Sequence, residues 1–151
     1  MLYAVQSRML EKGSIIGPEH GASKIFRERE RHKSGFFVGL HSHQGDESFE
    51  VLEGKIRFTA AGEQKECGPG YVVFIPAGVE HGFYVVEDAC LDVFSEQKMG
   101  LFIKVMDGDG SFRTEEVYVE NFPSSRNPPP GQTYTSREHV RKLYQTTRHL
   151  L

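Results

Sequence analysis

Three histidines and one glutamate stand at spacings that suit the binding of a metal ion. His41 and His43 are two residues apart, so on a β-strand their side chains project from the same face. Glu47 follows a predicted turn over residues 44–46, from which it can return toward the same point. His81 follows a Pro-Ala-Gly turn that can bring it in from another strand pair. We predict that these four side chains are the ligands of one metal ion.

The four residues belong to two stretches that resemble the paired signature motifs of the cupin family. The stretches are Gly35-x5-His41-x-His43-x3-Glu47-x6-Gly54 and Gly70-x5-Pro76-x-Gly78-x2-His81. The resemblance implies that the three histidines and the glutamate are metal ligands. It also implies that Gly54, Gly70 and Gly78 are turn residues. One position departs from the family pattern, because Val85 stands where the second motif often ends in asparagine. That position is usually not a ligand, so the departure affects a local hydrogen bond and not the metal.

Composition agrees with one small domain. A chain of 151 residues can bury a real core, and it contains a single motif pair. The formal net charge of -3 and the isoelectric point near 6.2 predict neither nucleic acid nor a membrane as partner. The sequence has no membrane-spanning apolar run and no secretion-signal pattern, so we expect a cytoplasmic protein. Cys67 and Cys90 form no CxxC unit, which indicates reduced thiols.

Most of the chain alternates with the period of β-strands and is interrupted by glycine turns. Many short strands without helical periodicity predict an all-β fold, and the resemblance narrows this to the cupin jelly-roll, a double-stranded β-helix barrel. The predicted turns are residues 53–54, 61–62 and 68–70. The predicted strands are residues 22–29, 35–43, 48–53, 55–60, 71–75, 81–86 and 90–95.

The end of the chain has a different character. We predict a single barrel domain over residues 1–120, then a proline-rich linker over residues 121–134. A C-terminal amphipathic α-helix is expected over residues 135–151, with Thr135 as N-cap and Glu138 completing a capping box. Its apolar face favours packing on the barrel or on a partner subunit. A membrane surface is the less favoured alternative, because the whole chain is acidic.

A run of alternating charge begins at Arg27 and places Arg27, Arg29, Arg31 and Lys33 on one face of a predicted strand. Such a pattern is typical of a solvated edge strand that is protected against aggregation. A ladder of cations that binds an anion is the alternative interpretation.

Asp92 is the candidate catalytic residue. It shares a strand face with Phe94, so it lies near the metal if Phe94 lines the pocket. The Asp-Val-Phe-Ser segment resembles that of small single-domain cupins that open unsaturated uronate rings. The resemblance implies an acid or base role for Asp92, with Lys98 at a position where an arginine follows in those proteins. An exposed Asp92 on a structural hairpin is the alternative.

Three histidines and a carboxylate leave two or three open positions on an octahedral ion. Ligand type does not distinguish iron, manganese, nickel and zinc. Our first hypothesis is a metal-dependent enzyme for a small oxygen-rich substrate, by sugar or uronate isomerisation, ring opening or dioxygenase chemistry. The competing hypothesis is a non-catalytic binding or sensor protein in which the metal anchors a small molecule. We also expect a homodimer, because cupin barrels commonly pair through an outer sheet face.

Overall fold

The computed structural model describes residues 4, 6, 11, 15–16, 20, 24–96, 100–122, 125 and 127–151. In this part of the chain every named strand pair is antiparallel, and one α-helix lies near the C-terminus, as expected for an all-β cupin jelly roll. The strands are β1 (Ile15–Ile16), β2 (Ile25–His32), β3 (Phe37–Ser42), β4 (Glu47–Ala60), β5 (Glu63–Cys67), β6 (Val72–Ile75), β7 (His81–Glu96), β8 (Leu101–Met106) and β9 (Phe112–Val117). The helices are α1 (Arg137–Gln145) and a 3-10 turn (Arg148–Leu150).

Two long strands, β4 and β7, pair with each other along most of their length and hold the barrel together. The second half of β7 pairs with β2, whereas its first half pairs with β3. The first half of β4 pairs with β6, whereas its second half pairs with β5. Each long strand therefore passes from one wall of the barrel to the other. Strands β8 and β9 extend the sheet beyond β3.

The predicted turn at residues 53–54 is wrong, because β4 continues through it. The pairing of β4 with β7 shifts register at this point, which marks a β-bulge. Gly54 has a φ of 79°, and a Cβ there would lie 2.1 Å from the carbonyl oxygen of Asp88. Glycine thus permits a bend with two strands in close approach, not a chain reversal. The predicted gap between residues 86 and 90 is likewise part of β7.

Four strands were not predicted, and one of them, β1, has only two residues. Strands β5 and β9 are mostly exposed and rich in charged residues, so neither carries an apolar face that a periodicity argument can find. Strand β8 has the expected alternation of buried and half-buried residues, so its pattern was available in the sequence. The turns at residues 61–62 and 69–70 are confirmed.

The buried apolar residues form two clusters. The barrel cluster lies between β4, β6 and β7, and it includes Phe49, Ile56, Phe58, Phe83 and Leu91. The helix cluster joins β8 and β9 to α1, and it includes Leu101, Ile103, Val117, Val140 and Leu143. Cys67 and Cys90 are both buried free thiols, in agreement with the prediction.

The C-terminal helix packs on its own barrel, against β3 and β8. Its N-cap is Ser136, whose side chain accepts a hydrogen bond from the backbone N–H of His139, so the predicted cap at Thr135 is wrong by one residue. Thr135 instead forms a bridge with Val119 that ties the linker to the end of the barrel. Among the described residues, no helix has the length and apolar character required to cross a bilayer.

Candidate metal centre

The structure brings together the four residues that the sequence predicted as metal ligands. His41 lies near the end of β3, and Glu47 and His81 are the first residues of β4 and β7. His41 and His81 are cross-strand partners, and His43 follows in the connection that leads to β4. All four residues are buried, and one potential ligand atom from each lies within 4.8 Å of the others.

The outward ring nitrogen of each histidine contacts a backbone carbonyl. The Nδ1 atoms lie 2.8 Å from Gly39 O for His41, 3.3 Å from Gly45 O for His43 and 2.8 Å from Val79 O for His81. A carbonyl oxygen can only accept, so each Nδ1 carries the hydrogen. In the neutral tautomer, Nε2 then has a free lone pair. These backbone contacts fix each ring in the orientation that metal-binding histidines require.

The inward atoms converge on Glu47. Its Oε2 lies 2.9 Å from His81 Nε2 and 2.8 Å from His43 Nε2. The His43 nitrogen is buried, however, and within the described residues it makes no well-directed hydrogen bond. An unsatisfied buried nitrogen is costly, and it is the arrangement expected where a cation completes the site. Three imidazole nitrogens and one carboxylate oxygen form a donor set that suits a divalent transition metal.

The electrostatics of His41 and Glu47 favour the forms that bind a cation. Burial lowers the pKa of His43, but the Glu47 carboxylate outweighs it and raises that pKa overall. Burial, together with the neighbouring His81 and His43, holds the pKa of His41 well below its usual value. Burial raises the pKa of Glu47, but the imidazoles of His43 and His81 outweigh it and lower that pKa overall. His41 is therefore neutral and Glu47 ionised at neutral pH, the forms that bind metal.

The cluster lies at the wall of a cavity of about 830 Å³. His41 and Glu47 line it, and apolar walls come from Phe36, Phe49 and Phe83. The cavity thus has a polar pole and aromatic sides, which suits a small molecule that offers oxygen atoms at one end.

Tyr144 closes one side of this cavity and was not among the predicted site residues. It projects from α1 with its ring centroid 5.6 Å from that of His41. Burial, and to a smaller degree the charge of Glu47, raise the pKa of the Tyr144 phenol well above its usual value, so it stays protonated. The sequence placed Tyr144 on the apolar face of the helix, but nothing in that pattern indicated which part of the barrel the face would cover.

The structure does not bring Asp92 to the cluster. Its neighbours Val93 and Ser95 line the cavity, so Asp92 and Phe94 belong to the opposite face of β7. Asp92 is fully buried there and forms ion pairs with Arg27 and Arg29. This carboxylate is held by two guanidinium groups on the face away from the cavity, so its placement does not support the predicted proton transfer. Lys98, the basic residue predicted to accompany it, lies outside the described residues.

The alternating charges of β2 have a different arrangement from the one that the sequence suggested. Strand β2 pairs with β7 along its whole length, whereas on its other side, among the described residues, β1 pairs only with Arg27 and Glu28. Arg29 is buried against Asp92, while Glu28 and Glu30 line the cavity. Arg27 and Arg29 therefore pair with Asp92 on the face away from the cavity, whereas Arg31 pairs with Glu53 at the cavity wall.

One family model matches part of this chain. Residues 29–95 match the family model described as a cupin domain. The match covers less than half of the 151 residues and, like the jelly-roll topology, supports a small cupin domain in this part of the chain. Among curated proteins, none matches this sequence.

Solved structures of low sequence identity share the fold. An RmlC-like cupin from Shewanella frigidimarina is 16% identical with a TM-score of 0.54, and the alignment covers 64% of this chain and 91% of that one. An RmlC-like cupin from Desulfovibrio desulfuricans is 20% identical with a TM-score of 0.52, covering 64% and 97%. An oxalate decarboxylase from Bacillus subtilis is 22% identical with a TM-score of 0.50, covering 58% of this chain but 26% of that one.

Proposed function

We propose that this protein binds one divalent transition-metal ion per chain through His41, His43, Glu47 and His81, and uses it to act on a small oxygen-rich molecule. The observation that carries the proposal is the convergence of three Nε2 atoms and one carboxylate oxygen at the wall of a cavity of about 830 Å³. Buried histidines and carboxylates are rarely gathered in this way without a cation to hold them together.

A bound metal would supply Lewis-acid activation of a carbonyl or hydroxyl oxygen, or dioxygen chemistry if it is iron. The chain itself supplies the surroundings of the ligand. Phe49 and Phe83 exclude water from its carbon skeleton, and Tyr144 presents a protonated phenol beside His41. The identity of the metal separates the two reaction classes, which are isomerisation or ring opening on one side and oxygenation on the other.

The test is the metal content of protein purified without added metal, measured by inductively coupled plasma mass spectrometry. We expect close to one ion per chain in the natural protein and a loss of most of it in His41→Ala and His81→Ala. His139→Ala is the matched control, because His139 is exposed on α1 and should retain full occupancy. Full occupancy in both cluster variants would rule out the proposed ligands.

The reaction class is tested with the metal-loaded protein and a panel of unsaturated uronates, keto sugars and diketones, under air and under nitrogen. Turnover that needs air supports oxygenation. Turnover that continues under nitrogen supports isomerisation or ring opening. Binding of these compounds without turnover would instead support the non-catalytic alternative, in which the metal anchors a ligand.

A further inference from the structure

Strand β2 contributes a row of side chains, three of them polar, to the cavity that holds the candidate metal cluster. Phe26, Glu28, Glu30 and His32 alternate along β2 and all line it. Because the function proposed above needs only the cluster and the cavity, these groups are still without a role.

Glu28 is the residue of this row that the sheet places across from the cluster. Val93 of β7 pairs with Glu28 on one side and with Phe49 of β4 on the other, and all three side chains line the cavity. Glu47 stands two residues before Phe49 on β4. Two strand spacings, about 10 Å, and a two-residue rise, about 7 Å, therefore separate the backbones of Glu28 and Glu47. Side chains that point inward from these positions can contact the two ends of one small molecule.

The carboxyl group of Glu28 is partly buried. Among the described residues, no cation lies within ion-pair distance of it. Glu30 and His32 neighbour it on β2, and Arg137 faces it from the first turn of α1. On the flanking strands its register partners are Val93 and Ile15.

Burial, reinforced by the negative charge of Glu30, raises the pKa of Glu28 to about 7, although Arg137 and His32 act in the opposite direction. A carboxyl group that is half ionised near neutral pH can both accept and return a proton, which is the property required of a general acid or base. The strand register places Glu28 on the cavity wall across from the cluster. Its charge environment explains why it is suited to proton transfer.

We propose that Glu28 is the proton-transfer residue for a ligand held at the metal cluster, in a step that rests on the function proposed above. For a carbonyl compound, the Glu28 carboxylate accepts a proton from the carbon next to the carbonyl. The electron pair of that C–H bond forms the C=C bond of an enolate, and the negative charge moves to oxygen. Return of the proton from Glu28, to the same carbon or to its neighbour in a conjugated ligand, completes an exchange or an isomerisation.

The first measurement is the titration of the Glu28 carboxyl carbon by NMR in 13C-glutamate-labelled protein, with the signal assigned by its loss in Glu28→Gln. We expect a midpoint near pH 7. A midpoint below about pH 5 would show an ordinary carboxylate and would overturn the proposal.

The second measurement uses pyruvate as probe, because its methyl protons are next to a carbonyl. Metal-loaded protein should exchange these protons for deuterium in D2O, followed as loss of the methyl signal by proton NMR. Glu28→Gln should slow the exchange about a hundredfold at unchanged metal content, and Glu28→Asp should restore part of it. Glu50→Gln is the matched control and should stay within about twofold, because Glu50 is not on the cavity wall.

Equal exchange by the natural protein and Glu28→Gln, including no exchange above the metal-free background in either, would overturn the proposal. A failure of the proposed metal binding can be distinguished from a failure of the Glu28 proposal. Purified protein that holds no metal would contradict the proposed function while leaving the titration of Glu28 to be measured by itself.

Discussion

Arg29 Nη2 donates a hydrogen bond to Asp92 Oδ2 over 3.0 Å, and both side chains are buried, with 3% and 0% of their surface exposed. The pair joins β2 to β7 on the side of the sheet away from the cavity. Arg27 contacts the same carboxylate and also lies over the ring of Phe94, 5.3 Å from its centroid. This arrangement gives Arg27 and Arg29 a shared partner in the buried Asp92.

We predict that Asp92→Ala lowers the free energy of unfolding by about 3–5 kcal/mol, because it leaves a buried guanidinium without its partner. Glu87→Ala is the control on the same strand. Its ion pair with Lys55 is exposed, so its loss should cost less than about 1 kcal/mol. Urea unfolding followed by circular dichroism measures both. Equal effects of the two substitutions would contradict the assignment of Asp92 to a buried pair.

Gly39 sets how closely the C-terminal helix approaches the cluster. A Cβ at Gly39 would lie 2.7 Å from the Cβ of Tyr144, closer than real side chains pack. Gly39→Ala should therefore displace α1 and destabilise the protein by about 1–3 kcal/mol through overpacking. Faster hydrogen exchange at the α1 amides would report the displacement.

Gly68→Ala is the matched control for Gly39→Ala. A Cβ at Gly68 would meet its nearest neighbour at 3.8 Å, an ordinary contact distance. The control should therefore leave both stability and α1 exchange nearly unchanged. If Gly39→Ala behaved in the same way, the helix would not depend on this close approach.

The raised pKa of Glu28 predicts a pH dependence of stability. The folded protein keeps the proton on Glu28 up to a pKa of about 7, whereas the unfolded chain releases it near the ordinary glutamate pKa of 4.5. The unfolded state therefore binds fewer protons between these values, and the free energy of unfolding falls as pH rises through this window. The difference in unfolding free energy between Glu28→Gln and the natural protein should grow from pH 4.5 to pH 7 and then level off. A constant difference would show that burial does not raise this pKa.

The exposed face of β6 is the candidate surface for the expected homodimer. Val72 and Phe74 are 64% and 61% exposed, and in the described part of the chain β6 pairs only with β4. We predict a dimeric mass by light scattering at micromolar concentration and a monomer for Phe74→Glu, because a charge cannot be buried in an apolar contact. Phe112→Glu changes another exposed phenylalanine and should stay dimeric. A monomeric natural protein would contradict the prediction.

Local spacing in the sequence was sufficient to predict that His41, His43, Glu47 and His81 lie together and that the fold is all-β. His41 and His43 share a strand face by the two-residue period, and short turns limit where Glu47 and His81 can lie, so these positions depend little on the rest of the fold. The same period showed that Asp92 and Phe94 share a face.

Only the tertiary structure decided which faces point into the cavity and which segments close it. Alternation relates residues on one strand to each other, but strand pairing and barrel curvature determine which set faces inward. The sequence therefore left open whether Asp92 and Phe94 face the cavity, and it did not distinguish Glu28 from the other charged residues of β2. The bulge at Gly54 and the packing of Tyr144 against Gly39 depend on contacts between residues far apart in the chain. No local pattern in the sequence could have predicted them.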